Sequence, residues 1–127
     1  MGESPSAHAM ITREQIQEMF DRMRQHARWN IDDICLWGFF FTDHERRRLV
    51  TAATALQRMG FRVVGIMDAI PEKDDDGLLV LHVEREERHT VASLHTRNHQ
   101  LYHFADEFDL ESYDGMDVGP ISQPKRR

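Results

Sequence analysis

His95, His99 and His103 stand four residues apart in a segment whose apolar spacing reads as helix. Each step of four turns only about 40° around a helix axis, so neighbouring imidazoles share a face and a pair could chelate a divalent ion. A zinc site needs a third or fourth ligand. The single cysteine, Cys35, falls in an apolar strand, where a thiol acts as a small hydrophobe. The three histidines flank the wetter side of the apolar stripe, and the simpler reading is a solvated polar face. The expectation is no bound metal and no cofactor, with a metal-dependent enzyme on the His95, His99 and His103 face kept as one alternative.

Other chemistry-bearing patterns resolve in the same direction. Asp74, Asp75, Asp76 and Gly77 lack the alternating ligands and distal glutamate of a calcium loop, and a strand-connecting turn accounts for them. Arg46, Arg47 and Arg48 begin a helix, where the macrodipole disfavours cations, and read as a solvated face. There is no glycine-rich phosphate loop, no Gly-x-Ser-x-Gly elbow and no cysteine with a positioned base. No catalytic residue is assigned.

Composition narrows the field further. The 127 residues suit one domain, large enough to fold without staples. Sixteen Lys and Arg against 22 Asp and Glu give a net charge of −6 with neutral histidines. That balance argues against direct nucleic-acid binding, whose affinity comes largely from cations neutralising phosphates. Apolar runs are far too short for a bilayer span. One cysteine permits no internal disulfide, and the first residues lack the basic start and apolar core of a signal peptide, so cytoplasm is the expected compartment.

Positioning elements follow from caps and periodicity. Residues 1–10 form a loose lead-in, 11–121 a single domain, and 122–127 a tail ending in Lys125-Arg126-Arg127. Thr12 and Gln15 make a capping box opening a helix to about Ala27, with Ile16, Met19, Phe20 and Met23 on its apolar stripe. The run from Ile34 to Phe41 reads as a central strand, apolar on both faces. Thr42 with Glu45 reads as a second capping box, opening a helix to Met59 with Gly60 as its left-handed cap. Strands follow at 61–67 and 78–84, then a helix from Val91 to Phe108 and an edge strand from Tyr113 to about Ile121.

This order predicts an α+β ferredoxin-like split βαβ sandwich (βαββαβ) behind an extra N-terminal helix, on a four-stranded antiparallel sheet. Its first and third strands should be central, since they are the most apolar. The two crossover helices cover one face, and the N-terminal helix is expected to cover the other, with a partner or a homodimer as the substitute. The sandwich also admits base stacking on sheet aromatics. Trp37 and Phe39 would serve on the first strand, but the third carries neither aromatics nor the RNA-binding signature.

One passage carries a family resemblance. Phe104-Ala105-Asp106-Glu107-Phe108-Asp109-Leu110-Glu111-Ser112-Tyr113-Asp114-Gly115-Met116 resembles the closing helix-to-strand passage of the RraB family of ribonuclease E inhibitors. That family has Tyr-Asp-Gly-Trp at the start of its last strand. Here Tyr113, Asp114 and Gly115 match while Met116 stands in the tryptophan's place. Leu36-Trp37-Gly38-Phe39-Phe40-Phe41 and Met59-Gly60-Phe61-Arg62-Val63 are similar to the family's strand and Gly-aromatic-x-Val junction. The resemblance spans about Ile31 to Ile121. It implies a ferredoxin-like sandwich, no catalysis, and binding to a ribonuclease or its assembly that reduces RNA turnover.

The residues by themselves give the Tyr113-Asp114-Gly115 motif an architectural reading: a hydrogen-bonding aspartate, a permissive glycine and a packing ring. The leading functional expectation is a non-enzymatic regulator that binds another protein. Its candidate contacts are Asp74, Asp75 and Asp76 in the acidic turn, Asp106, Glu107 and Asp109 at the helix end, and Tyr113 and Asp114 on the edge strand. An immunity-type antitoxin that neutralises a toxin is the second reading.

Overall fold

The computed structural model describes residues 10–69 and 76–121. Asp74 and Asp75 therefore lie outside the described residues, as do the first nine positions and residues 122–127. The elements are α1 (Arg13–His26), β1 (Cys35–Asp43), α2 (Arg46–Arg58), β2 (Arg62–Asp68), β3 (Leu79–Glu87), α3 (Val91–Glu107) and β4 (Ser112–Gly119). All strand pairs are antiparallel, in the order β2-β3-β1-β4. β1 and β3 are the inner strands, as their apolar content predicts.

Local chemistry sets most boundaries. The Thr12 hydroxyl accepts from Gln15 N at 3.1 Å while Gln15 Oε1 accepts from Thr12 N at 2.9 Å, closing the predicted capping box. α2 stops at Met59, and Gly60 follows at φ +103. α3 opens on a further capping box, Thr90 with Ser93, in which serine takes the place usually held by Glu or Gln.

The second predicted capping box does not form. β1 continues through Thr42 to Asp43, and α2 begins after Glu45, which makes no side-chain cap bond. Strand pairing with Val80 and Ser112 holds Thr42 in the sheet, and its hydroxyl meets Ser112 Oγ at 2.6 Å. No side chain caps the first turn; the buried Asp43 instead holds the residue that begins the helix, its Oδ1 accepting from Glu45 N at 2.7 Å in an Asx turn and from Arg48 Nη1 at 3.2 Å.

The largest correction concerns the layers. α1 packs on the same side of the sheet as α2 and α3, not on the far side. Strand alternation sends Cys35, Trp37, Phe39, Phe41 and Asp43 toward the helices. On that side Phe20 of α1 stacks on Trp37, Phe61 meets Phe39 edge-on, and Phe104 of α3 meets Phe41. Ile16 and Phe20 are fully buried there, and Ile11 N donates to Tyr102 Oη of α3 at 3.0 Å. The groove between α3 and Trp37 takes the apolar stripe of α1, and among the described residues no element packs on the opposite face of the sheet. Leu81 and Val83 are buried toward the helices, while Leu36, Phe40, Val80 and His82 on the opposite face are half-exposed.

Candidate functional site

The acidic contacts predicted from sequence are spread over separate places. Asp106 and Glu107 are exposed in the last turn of α3. Asp109 is exposed just beyond, where it takes φ +57 and lets Leu110 N bond back to Ala105 O at 2.9 Å. Asp76 lies at the other end of the chain's turn, facing His44 Nε2 at 3.2 Å, while His44 Nδ1 meets Glu111 at 2.6 Å. The Glu111 hydrogen bond first, and the Asp76 bond second, raise the His44 pKa. This exposed carboxylate–imidazole–carboxylate bridge ties the β1–α2 connection to the start of β4.

Tyr113 is buried at 4% exposure, and its hydroxyl donates to Asn98 Oδ1 inside the core. Burial pushes its phenol far above the ordinary range. It offers a partner no surface. The motif around it is a β-bulge: Phe41 pairs with Tyr113 but Phe40 with Gly115, so Asp114 is the extra residue. Gly115 absorbs the distortion at φ +114. The inserted residue restarts the alternation, so Tyr113 and Met116 both face the helices while Asp114 is left exposed.

Among the described residues no group of three or more His, Cys, Asp or Glu could hold a metal ion. His95 and His99 meet edge to face with ring centres 4.6 Å apart. Cys35 is buried, and burial pushes its thiol up. A different histidine forms the more connected cluster. His89 Nε2 lies 2.6 Å from Glu87 Oε1, and His89 Nδ1 lies 2.8 Å from Ser93 Oγ. The order acid–histidine–serine matches a hydrolase relay, yet the Ser93 hydroxyl accepts from Thr90 N at 2.8 Å and lies 3.3 Å from Thr90 O, to which it can donate, as part of the helix cap. Burial raises the Glu87 pKa, but the His89 and Arg97 hydrogen bonds outweigh it, and the net shift is downward. The cluster anchors α3 to the end of β3.

The open sheet face holds the remaining concentration of functional groups. Phe40 of β1 and His82 of β3 stack across the two inner strands, ring centres 4.5 Å apart and 23° from parallel. Beside them lies a shallow depression of about 270 Å³ floored by Gly38 and edged by Leu36, His82, Glu84 and Asp117. A Cβ at position 38 would stand 2.5 Å from Asp117 Oδ1 and 2.9 Å from His82 Nε2, so both polar groups overhang the glycine. Glu84 pairs with Arg62 at the rim. Burial lowers the His82 pKa against the opposing pull of Asp117, which favours the neutral imidazole.

Sequence reasoning missed this pair. Trp37 and Phe39, the residues expected to offer rings on the sheet, are fully buried under the helices. The run Phe39-Phe40-Phe41 hides which ring faces out, and His82 passes unnoticed as an aromatic among aliphatic neighbours.

A family model for regulator of ribonuclease activity B (RraB) matches residues 13–118, from the first turn of α1 into β4. The chain belongs to the RraB family. No curated protein matches it. The RraB match reaches all seven elements, stopping one residue short of the end of β4, and takes in both the bulge and the sheet face away from the helices. At position 116, where the RraB resemblance expects tryptophan, the Met116 sulfur accepts from Asn98 Nδ2 at 3.3 Å. Asn98 thus donates to Met116 and accepts from Tyr113, joining two motif positions to α3. Among the described residues no helix is long and apolar enough to cross a membrane.

Proposed function

We propose that this chain is a non-enzymatic, cytoplasmic regulator that binds a ribonuclease, or a protein of its assembly, and lowers RNA cleavage by covering a surface the enzyme needs. The observation that carries the reading is the RraB family match over residues 13–118. The net charge of −6 and the exposed carboxylates of Asp106, Glu107, Asp109, Asp114 and Asp117 support a basic partner surface. The exposed Asp76 adds to the same acidic exterior. Tyr113 and Gly115 serve this function by shaping β4, and Asn98 and Met116 act with them.

The test is cleavage of a fluorescent RNA oligonucleotide by the purified ribonuclease of the same organism, with the chain titrated in. Inhibition that saturates and weakens as salt rises is the expected result. Unchanged cleavage at every concentration, with no complex by gel filtration, contradicts it.

A further inference from the structure

Among the described residues, the sheet face away from the helices is the surface on which aromatic, apolar and acidic groups converge with no element packed over them. We infer that this face is the docking surface, and that the depression over Gly38 takes an arginine side chain from a basic segment of the partner. The inference rests on the protein-binding role argued above and deepens it.

Shape, rings and charge each contribute. A Cβ at position 38 would push Asp117 and His82 aside, because the ends of both side chains lie over the glycine. Phe40 and His82 stack on each other beside that gap, and the apolar ring pair gives the aliphatic stem of an arginine a surface to pack on. Among the described residues neither the Asp117 carboxylate nor the His82 ring makes a hydrogen bond or ion pair, so both are free to receive donors. A guanidinium carries five N–H donors and no acceptor, matching a site with a carboxylate at Asp117 and a ring nitrogen at His82.

Charge separates this occupant from its rivals. Glu84, Glu86 and Asp117 lie on the face defined by Phe40 and His82, and among the described residues the strand cation in that register, Arg62, is already paired with Glu84. A nucleic acid would set its phosphates against these carboxylates despite the stacked rings. A second copy of the chain would set carboxylates against carboxylates. A basic peptide meets neither obstacle.

The experiment is a backbone-amide NMR titration of the full chain with a synthetic arginine-rich peptide, repeated with a glycine–serine peptide of equal length and with an RNA oligonucleotide. The expected result is shifts at Gly38, Phe40, His82, Asp117 and Gly119 with the arginine peptide alone. Asp117→Asn should weaken that binding roughly tenfold. Gly38→Ala, which changes no charge, should weaken it severalfold by filling the floor, with both variants keeping the wild-type melting temperature within a few degrees. Shifts confined to Asp106, Glu107 and Asp109, an RNA or self-association response on the sheet, or no binding at all would overturn the proposal. Ribonuclease inhibition that survives both substitutions sinks the docking site while the regulatory reading stands. Peptide binding on the sheet without any effect on the ribonuclease does the reverse.

Discussion

The Tyr113 hydroxyl donates to the side-chain oxygen of Asn98, a hydrogen bond made wholly inside the core between β4 and α3. The same asparagine donates to Met116, so one buried amide holds both core-facing residues of the bulge. Tyr113→Phe removes the donor and leaves Asn98 Oδ1 buried without it, at a cost of about 1–3 kcal/mol. Urea denaturation should show the lower midpoint at an unchanged slope. In the wild type, the Tyr113 phenol should stay un-ionised by ultraviolet titration until the protein unfolds.

Gly115→Ala tests the bulge itself. At φ +114 an added Cβ strains the backbone whatever space surrounds it, and the substitution should cost about 1–2 kcal/mol. The equivalent change at Gly119, where φ is not in the left-handed region and nothing crowds a Cβ, should be close to neutral by the same thermal melt.

Asp43→Ala removes the acceptor that holds Glu45 N–H at the start of α2 and leaves Arg48 without its partner. The lost hydrogen bonds to a charged group are worth about 1–3 kcal/mol, and the helix should show faster amide exchange over its first turn. Asp43→Asn keeps an acceptor for Glu45 N and should recover most of that loss. If Asp43→Ala matches wild type, Glu45 N–H is being held by something else.

His44 gives a pH signature. Its pKa is raised above the ordinary 6.5 by Glu111 first and Asp76 second. A histidine raised on folding contributes stability that is fully present below its unfolded pKa and lost as pH rises through the folded value. Glu111 and Asp76 are lowered, chiefly by the His44 hydrogen bond, and their contribution is lost as pH falls through their folded values. The bridge is therefore strongest between the carboxylate range and the raised imidazole pKa. Imidazole NMR titration should place His44 above 6.5, and His44→Ala should flatten the stability change across neutral pH.

The sequence makes the elements and the sheet order legible because their signals are local. Capping residues, helical spacing and apolar strand content all act within a few positions of the structure they set. What it hides depends on contacts between distant segments. The stripe of Ile16 and Phe20 says that α1 buries a face, but not that the face meets Trp37 beside α3. Thr42 has the right residue type for a cap, yet pairing with Val80 and Ser112 keeps it in β1. The pairing of Phe40 with His82 needs the β1–β3 register, which no local pattern encodes. The architectural reading of Tyr113, Asp114 and Gly115 agrees with the bulge, although the extra residue itself emerges only from the pairing of β1 and β4.

Carbodiimide labelling of surface carboxylates, read by mass spectrometry with and without the purified ribonuclease, tests the whole account most directly. The account predicts that Asp117 and Glu86 on the open sheet face lose reactivity in the mixture while Asp21 on α1 labels as before. Equal labelling of Asp117 and Glu86 in the presence and absence of the enzyme, at concentrations where cleavage is inhibited, would contradict it.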